Sequence, residues 1–167
     1  LKNIILIGLP SCGKTFFGKK ISETEGLNFI DLDAYVVEKN NMTIEEMFNV
    51  SENFFRDRES KAVVRVAKCE DTVIATGGGV IKRKENMEVL SKSGTIIFID
   101  RRPENIIDTI DTSKRPLLKD DSEKIYDLYR QRYELYKKYA DIIIDNNDSK
   151  EKVICILKNI IRNKRLI

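Results

Sequence analysis

Histidine is absent from the 167-residue sequence. That absence excludes serine–histidine triads, histidine-ligated zinc hydrolases and phosphohistidine carriers together. Chemistry here must run on Asp, Glu, Lys, Arg, hydroxyls and backbone amides, with or without a hard metal ion. Cysteine is scarce: Cys12, Cys69 and Cys155 stand far apart, with no CxxC pair. Neither a disulfide framework nor a thiolate zinc site is expected, and a reducing cytoplasm fits. Only three prolines occur. No run of about 18 apolar residues is present, so no membrane-spanning helix is expected. Leu1 leads straight into a strand-like segment, without the basic–apolar–small pattern of a secretory signal. The formal net charge of +3 is too small to argue for nucleic acid. The basic residues Lys158, Arg162, Lys164 and Arg165 read as the solvated face of a last helix.

What is present describes one domain over 1–167, with 41% apolar and 34% charged residues, enough for a single well-buried core. Strand-like and helix-like segments alternate. Strands are expected at 3–7, 28–32, 72–76, 95–99 and 141–144. Helices are expected at 14–24 and from 34 to about 40, and then over 43–50, where Thr43 and Glu46 form a T-x-x-E capping box. Ser51 caps a longer helix to about 69. Further helices follow at 84–92, after Pro103, at 122–139 and at 150–165, Pro103 suiting a first turn. The polar stretch 111–121 contains Arg-Pro and reads as a loop or lid. Strands separated by such helices imply βαβ units, hence an α/β three-layer sandwich on a five-stranded parallel sheet.

Gly8-Leu9-Pro10-Ser11-Cys12-Gly13-Lys14-Thr15 matches G-x-x-x-x-G-K-[ST] and lies between an expected strand and an expected helix. Glycines at these positions let successive backbone N–H groups turn toward phosphate oxygens, and the helix that follows directs its positive end to the same place. Lys14 would neutralise β/γ oxygens, and the Thr15 hydroxyl would ligate Mg²⁺. Cys12 reads as a small filler residue. The chain is expected to bind a nucleoside triphosphate.

GTPase signatures N-K-x-D and D-x-x-G are missing, and the third strand ends not in Asp but in Gly77-Gly78-Gly79. Three glycines in a row weaken a fold, so a close approach to backbone is expected there, the alternative being a flexible turn. Asp31 and Asp33 are one residue apart, which on an extended chain puts both side chains on one side at a strand's carboxyl end. The plainer reading makes them turn or cap residues, Asp33 preceding a helix. Arg56 and Glu59 extend an apolar helical stripe of Ala62, Val63, Val66 and Ala67, and Arg132 falls in the stripe of Ile125, Leu128, Leu135 and Tyr139. Charges aligned with a buried face need partners, either each other or a ligand, and arginine is the natural fork for a carboxylate.

The P-loop, F-I-D-x-D at 29–33, T-I-x-E-x-F at 43–48, F-R-x-x-E at 55–59, G-G-G at 77–79 and R-P-L-L at 115–118 occur in the order and spacing of shikimate kinases. The chain resembles that family over essentially its whole length, and the resemblance implies a P-loop fold of nucleoside monophosphate kinase type. It further implies transfer of the γ-phosphoryl of ATP to the 3-hydroxyl of shikimate by a cytoplasmic monomer in aromatic amino acid biosynthesis. By the same resemblance, Asp33 holds shikimate hydroxyls and accepts the proton of the attacking one. Arg56 and Arg132 hold the substrate carboxylate, Glu59 supports Arg56, and Gly78 and Gly79 offer backbone contacts. Thr15 and Asp31 serve Mg²⁺, and Arg115 is the lid arginine at the transferring phosphoryl. The implied ATP set is Gly8, Pro10, Ser11, Cys12, Gly13, Lys14, Thr15, Phe16 and Arg115, and substrate-binding helices fall within about 34–60.

Two departures stand out. Thr15 replaces the family's common serine, keeping the hydroxyl. The arginines that the family places against adenine appear here as Asp108 and Asn146–Asn147, so either ATP affinity is lower or adenine meets other groups. The rivals are a gluconate kinase, a nucleoside monophosphate kinase and a non-catalytic nucleotide-binding relative.

Overall fold

The computed structural model describes residues 2–109 and 122–164, with Arg165 as backbone only. The lid segment 111–121, including Arg115 and the R-P-L-L motif, lies outside the described residues.

Elements alternate as the pattern requires. β1 (Asn3–Ile7) leads to α1 (Lys14–Glu25), and β2 (Asn28–Asp31) to α2 (Leu32–Asn40), α3 (Ile44–Val50) and α4 (Glu52–Val66). β3 (Thr72–Ala75) is followed by a 3₁₀ turn (Val80–Lys82) and α5 (Lys84–Ser93). β4 (Gly94–Asp100), α6 (Pro103–Thr109), α7 (Ser122–Tyr139), β5 (Ile142–Asp145) and α8 (Lys150–Arg165) complete the order. The five strands form one sheet in the order β2-β3-β1-β4-β5, every neighbouring pair parallel. β1, β3 and most of β4 are buried residue after residue, as a parallel sheet covered by helices demands. Their Ile, Val, Leu and Phe side chains form one core with Phe17, Ile21, Val63, Leu90, Leu157 and Ile161 from the helices.

The helix starts follow local chemistry. Thr43 Oγ1 accepts from Glu46 N at 3.1 Å while Glu46 Oε2 accepts from Thr43 N at 2.7 Å, so the expected capping box forms. Ser51 Oγ accepts from Phe54 N at 3.0 Å and caps α4. On the basic C-terminal face Arg162 stays 62% exposed, while its Nη2 reaches Glu25 of α1 at 3.1 Å.

Asp100 at the end of β4 carries a cost. It pairs in register with Asp145, and its Oδ1 is buried without a hydrogen-bond partner among the described residues. Burial first, then the Asp145 charge, push its carboxyl above the ordinary range, while Arg102, Lys137 and a hydrogen bond with Tyr133 oppose this. Because the folded value exceeds the unfolded one, stability from this group is complete below the unfolded pKa near 4 and is lost as pH rises through the folded value. Asp100→Asn is therefore expected to raise the Tm at pH 7–8, the gain vanishing near pH 4. A Tm difference that grew toward acid would reverse the sign and overturn this.

Candidate active site

Three carboxyl ends of strands, those of β1, β2 and β3, deliver the site. After β1 the chain turns through Gly8 (φ 148°), Ser11 (φ 65°) and Gly13 (φ 107°), the last opening α1. A Cβ on Gly8 would stand 2.7 Å from Ile99 O and from Cys12 Sγ, so both conformation and space require glycine there. Ser11 carries a left-handed backbone without that freedom, a local strain at a ligand loop. The loop bends around Lys14, which is 7% exposed and donates to Gly8 O and Leu9 O, both at 2.7 Å, with Cys12 Sγ at 3.6 Å. The ammonium thus sits inside the loop beside the first-turn N–H groups of α1. A cation and free amides in one concavity suit a polyphosphate.

β2 ends on Asp31, and α2 begins at Leu32, earlier than the expected start near Ala34. The extended-chain premise for Asp31 and Asp33 therefore fails, since Asp33 lies in the first turn of a helix. Asp31, not Asp33, is the N-cap: its Oδ1 accepts from Ala34 N at 3.1 Å. Its Oδ2 accepts from the Thr15 hydroxyl at 2.7 Å. Two hard oxygen donors side by side at the loop fit Mg²⁺, which takes one or two protein ligands and completes its shell with phosphate and water oxygens.

β3 delivers the glycine triplet, and none of the three has a positive φ. Space, not conformation, requires them. A Cβ on Gly77 would lie 2.7 Å from Asp33 Oδ1, one on Gly78 2.8 Å from Pro10 Cδ, and one on Gly79 2.2 Å from Arg56 Nη2. The expected close approach is real, and its partners are the side chains already singled out. Gly78 also accepts a hydrogen bond from the Tyr136 hydroxyl at 2.5 Å.

Arg56 and Glu59 sit on the buried face of α4, 7% and 0% exposed. Arg56 Nη1 donates to Glu59 Oε1 at 2.7 Å, and Arg56 Nε reaches Glu52 Oε1 at 3.4 Å; Glu52 also pairs with Lys82. Phe48 and Phe55 stack at 4.7 Å, with the Arg56 guanidinium over both rings. Glu59 Oε2 has no hydrogen-bond partner among the described residues. Burial pushes the Glu59 carboxyl up against the pull of Arg56, with Asp33 raising it further and Arg132 lowering it. Those couplings place Asp33, Arg56, Glu59 and Arg132 within one electrostatic neighbourhood.

The structure thus brings together Gly8, Pro10, Cys12, Gly13, Lys14, Thr15 and Asp31 on one side, and Asp33, Arg56, Glu59, Gly78, Gly79 and Arg132 on the other. Phe16 is 47% exposed beside the loop, with Lys150 Nζ 4.7 Å from its ring centre. Asn146, at a position expected to face adenine, is 3% exposed and braces the P-loop from behind, donating from Nδ2 to Cys12 O at 2.8 Å. Asn147 is likewise engaged, accepting from Arg102 N at 2.8 Å. Tyr136 was missed. The sequence stripe on α7 ran through Leu135 and Tyr139, but the buried positions are Ile125 and Tyr136. The signal available was Tyr136 one turn after Arg132, on the same face.

A family model described as shikimate kinase matches residues 10–162. A shikimate kinase of Clostridium botulinum (strain Alaska E43 / Type E3) is 47% identical over 98% of this chain and 99% of its own length. One from Thermoanaerobacter pseudethanolicus is 40% identical over 89% of this chain and 88% of its own. Among solved structures, shikimate kinase from Acinetobacter baumannii in complex with shikimate superposes with a TM-score of 0.88 at 32% identity, covering 98% of this chain and 95% of that one. The Aquifex aeolicus enzyme gives 0.83 at 30% identity, covering 98% of both chains. With the P-loop, the glycine triplet and the buried Arg56–Glu59 pair all in place, the chain belongs to the shikimate kinase family of ATP-dependent kinases.

Proposed function

We propose that this chain transfers the γ-phosphoryl of ATP to the 3-hydroxyl of shikimate, giving shikimate 3-phosphate and ADP. The observation that carries the substrate assignment is the glycine triplet, against which Asp33 and Arg56 are both seated, with Arg132 in the same electrostatic neighbourhood. A carboxylate fork and a hydroxyl-facing carboxylate on one short backbone segment suit a small polyhydroxylated acid. A nucleoside acceptor offers no carboxylate for Arg56 and Arg132.

In this reading the triphosphate exchanges the carbonyl bonds of Lys14 for charge-assisted ones, and the amides at the start of α1 hold the phosphates. Thr15 and Asp31 hold Mg²⁺, which when bound neutralises the developing charge on the phosphate oxygens. Asp33 orients the attacking hydroxyl and takes its proton. Arg56 and Arg132 fix the acid, and Arg56 is itself fixed by Glu59. Arg115, from the lid segment 111–121, completes the charge at the transferring group. The free thiols of Cys12, Cys69 and Cys155 agree with a cytoplasmic setting. Among the described residues no helix is long and apolar enough to cross a membrane.

The test is ADP release in a coupled assay with ATP and Mg²⁺, comparing shikimate, gluconate, AMP and no acceptor. Strong stimulation by shikimate alone is expected, and chelation of divalent ions should abolish it. Shikimate turnover no faster than the background hydrolysis would overturn the acceptor assignment, while stimulation by gluconate would move it to another hydroxy acid.

A further inference from the structure

Every carboxylate of α4 is engaged away from one face of that helix. Glu52 and Glu59 pair with Arg56, and Asp57 pairs with Arg83 at 2.8 Å. On the remaining face Arg58, Lys61 and Arg65 recur at i, i+3 and i+7, so they point the same way. Tyr35, Lys39 and Asn40 of α2 join them, and the six residues share the lining of a cavity of about 200 Å³ between the two helices. No carboxylate lines it. Among the described residues none of the four cations has a carboxylate within ion-pair distance. Two of the four are held in place by rings. The Arg58 guanidinium lies 3.2 Å from the Phe54 ring centre while its Nη1 donates to Phe54 O at 3.0 Å, and Lys39 Nζ stands 5.4 Å from the Tyr35 ring centre.

We propose that the cavity between α2 and α4 is a second anion site, separate from the P-loop, that takes a small polyvalent phosphate of the diphosphate class. Like charges four apart on a helix, such as Lys61 and Arg65, cost stability, and cations converging from two helices repel further. An anion reverses that cost. A concave wall of one sign also concentrates the potential inside it and raises the local concentration of oppositely charged ligands. A single carboxylate would leave most of this charge unmet, whereas a diphosphate offers several oxygens to several donors. The arginine forks match phosphate oxygens two at a time, and holding Arg58 on Phe54 beforehand lowers the ordering cost of binding. The site shares no residue with the loop around Lys14, so the two bind independently.

The test is a titration with pyrophosphate, without divalent ions, followed by backbone amide NMR. Amides of Lys39, Asn40 and residues 61–65 report the cavity, and those of residues 13–15 report the P-loop, so one sample reads both sites. Saturable shifts at the cavity amides are expected. In Lys61→Gln/Arg65→Gln the Kd read there should rise at least about tenfold, the size of one lost hydrogen bond to a charged group, while the Kd read at the P-loop stays put. Both side chains are exposed, and the P-loop amides check that the variant is folded. Lys158→Gln/Lys164→Gln removes the same charge from α8 and should leave the cavity Kd within about twofold, since screening confines surface charge to short range. ADP, citrate and a short single-stranded oligonucleotide form the other arms. Cavity shifts with ADP that the Lys61→Gln/Arg65→Gln variant loses make a nucleotide's diphosphate the source; shifts with pyrophosphate and not ADP make it the free anion, and either result supports the site. No saturable shift at the cavity amides, equal weakening in the two double variants, or citrate bound as tightly as pyrophosphate would overturn the proposal. Oligonucleotide bound more tightly than pyrophosphate would overturn it in favour of a nucleic-acid surface.

Discussion

Asp33→Asn is expected to lower kcat with shikimate by about 10²–10⁴, the range for loss of a positioned general base. The carboxylate sits in the first turn of α2 against Gly77, two residues before the glycine that meets Arg56, and the amide is close to isosteric. Binding geometry should therefore survive while the proton acceptor is lost, so KM for shikimate should move far less than kcat. Folding should change little, since a carboxylate in a helix's first turn contributes only about 0.3–1 kcal/mol. Measuring kcat and KM together separates the roles. A kcat within about threefold of the parent would mean that the loose transition state of phosphoryl transfer needs no base here, and Asp33 would be left as a hydroxyl holder.

Arg56→Ala should have the largest effect on acceptor binding, raising KM for shikimate by about 10²–10³, as truncation of a buried, hydrogen-bonded charge does. A second consequence is structural. Glu59 is fully buried, and Arg56 Nη1 donates to it at 2.7 Å; removing that partner strands a carboxylate already pushed toward its neutral form, at a cost of about 3–5 kcal/mol. The two consequences separate in the double variant Arg56→Ala/Glu59→Gln. Neutralising Glu59 should recover much of the lost stability, read as Tm or urea midpoint, and none of the lost shikimate affinity. If stability and affinity returned together, Arg56 would be a structural ion pair only, and the acid would be held elsewhere.

The pairing also shows how a buried charge becomes legible. Arg56 and Glu59 continue an apolar stripe, and a charge on such a face must find a partner or a ligand. The structure answers with partners: Glu59 takes one edge of the guanidinium, and Gly79 and two phenylalanine rings fix the rest. Residue type and helical period were enough to find the pair. They could not say that it lies against the glycine triplet, since residues 60–76 intervene in the chain.

The sequence by itself determined the elements and the chemistry. Period, caps and spacing are local properties, so the P-loop, the Thr43–Glu46 capping box, the Ser51 cap and the alternation of strand and helix could be read from neighbours within a few residues. Junctions were the weak point: Leu32 joined α2 instead of β2 because Asp31 turns the chain with its own side chain, a choice that depends on Thr15 and Ala34 as partners. Only the tertiary structure decided what required three glycines, since the side chains that exclude a Cβ arrive from α2, the P-loop and α4. Only the tertiary structure moved Asn146 from a position facing adenine to a brace behind the P-loop, and set the Tyr136 hydroxyl against Gly78 O. These are contacts between segments distant in sequence, set by the strand order β2-β3-β1-β4-β5, which no local pattern encodes.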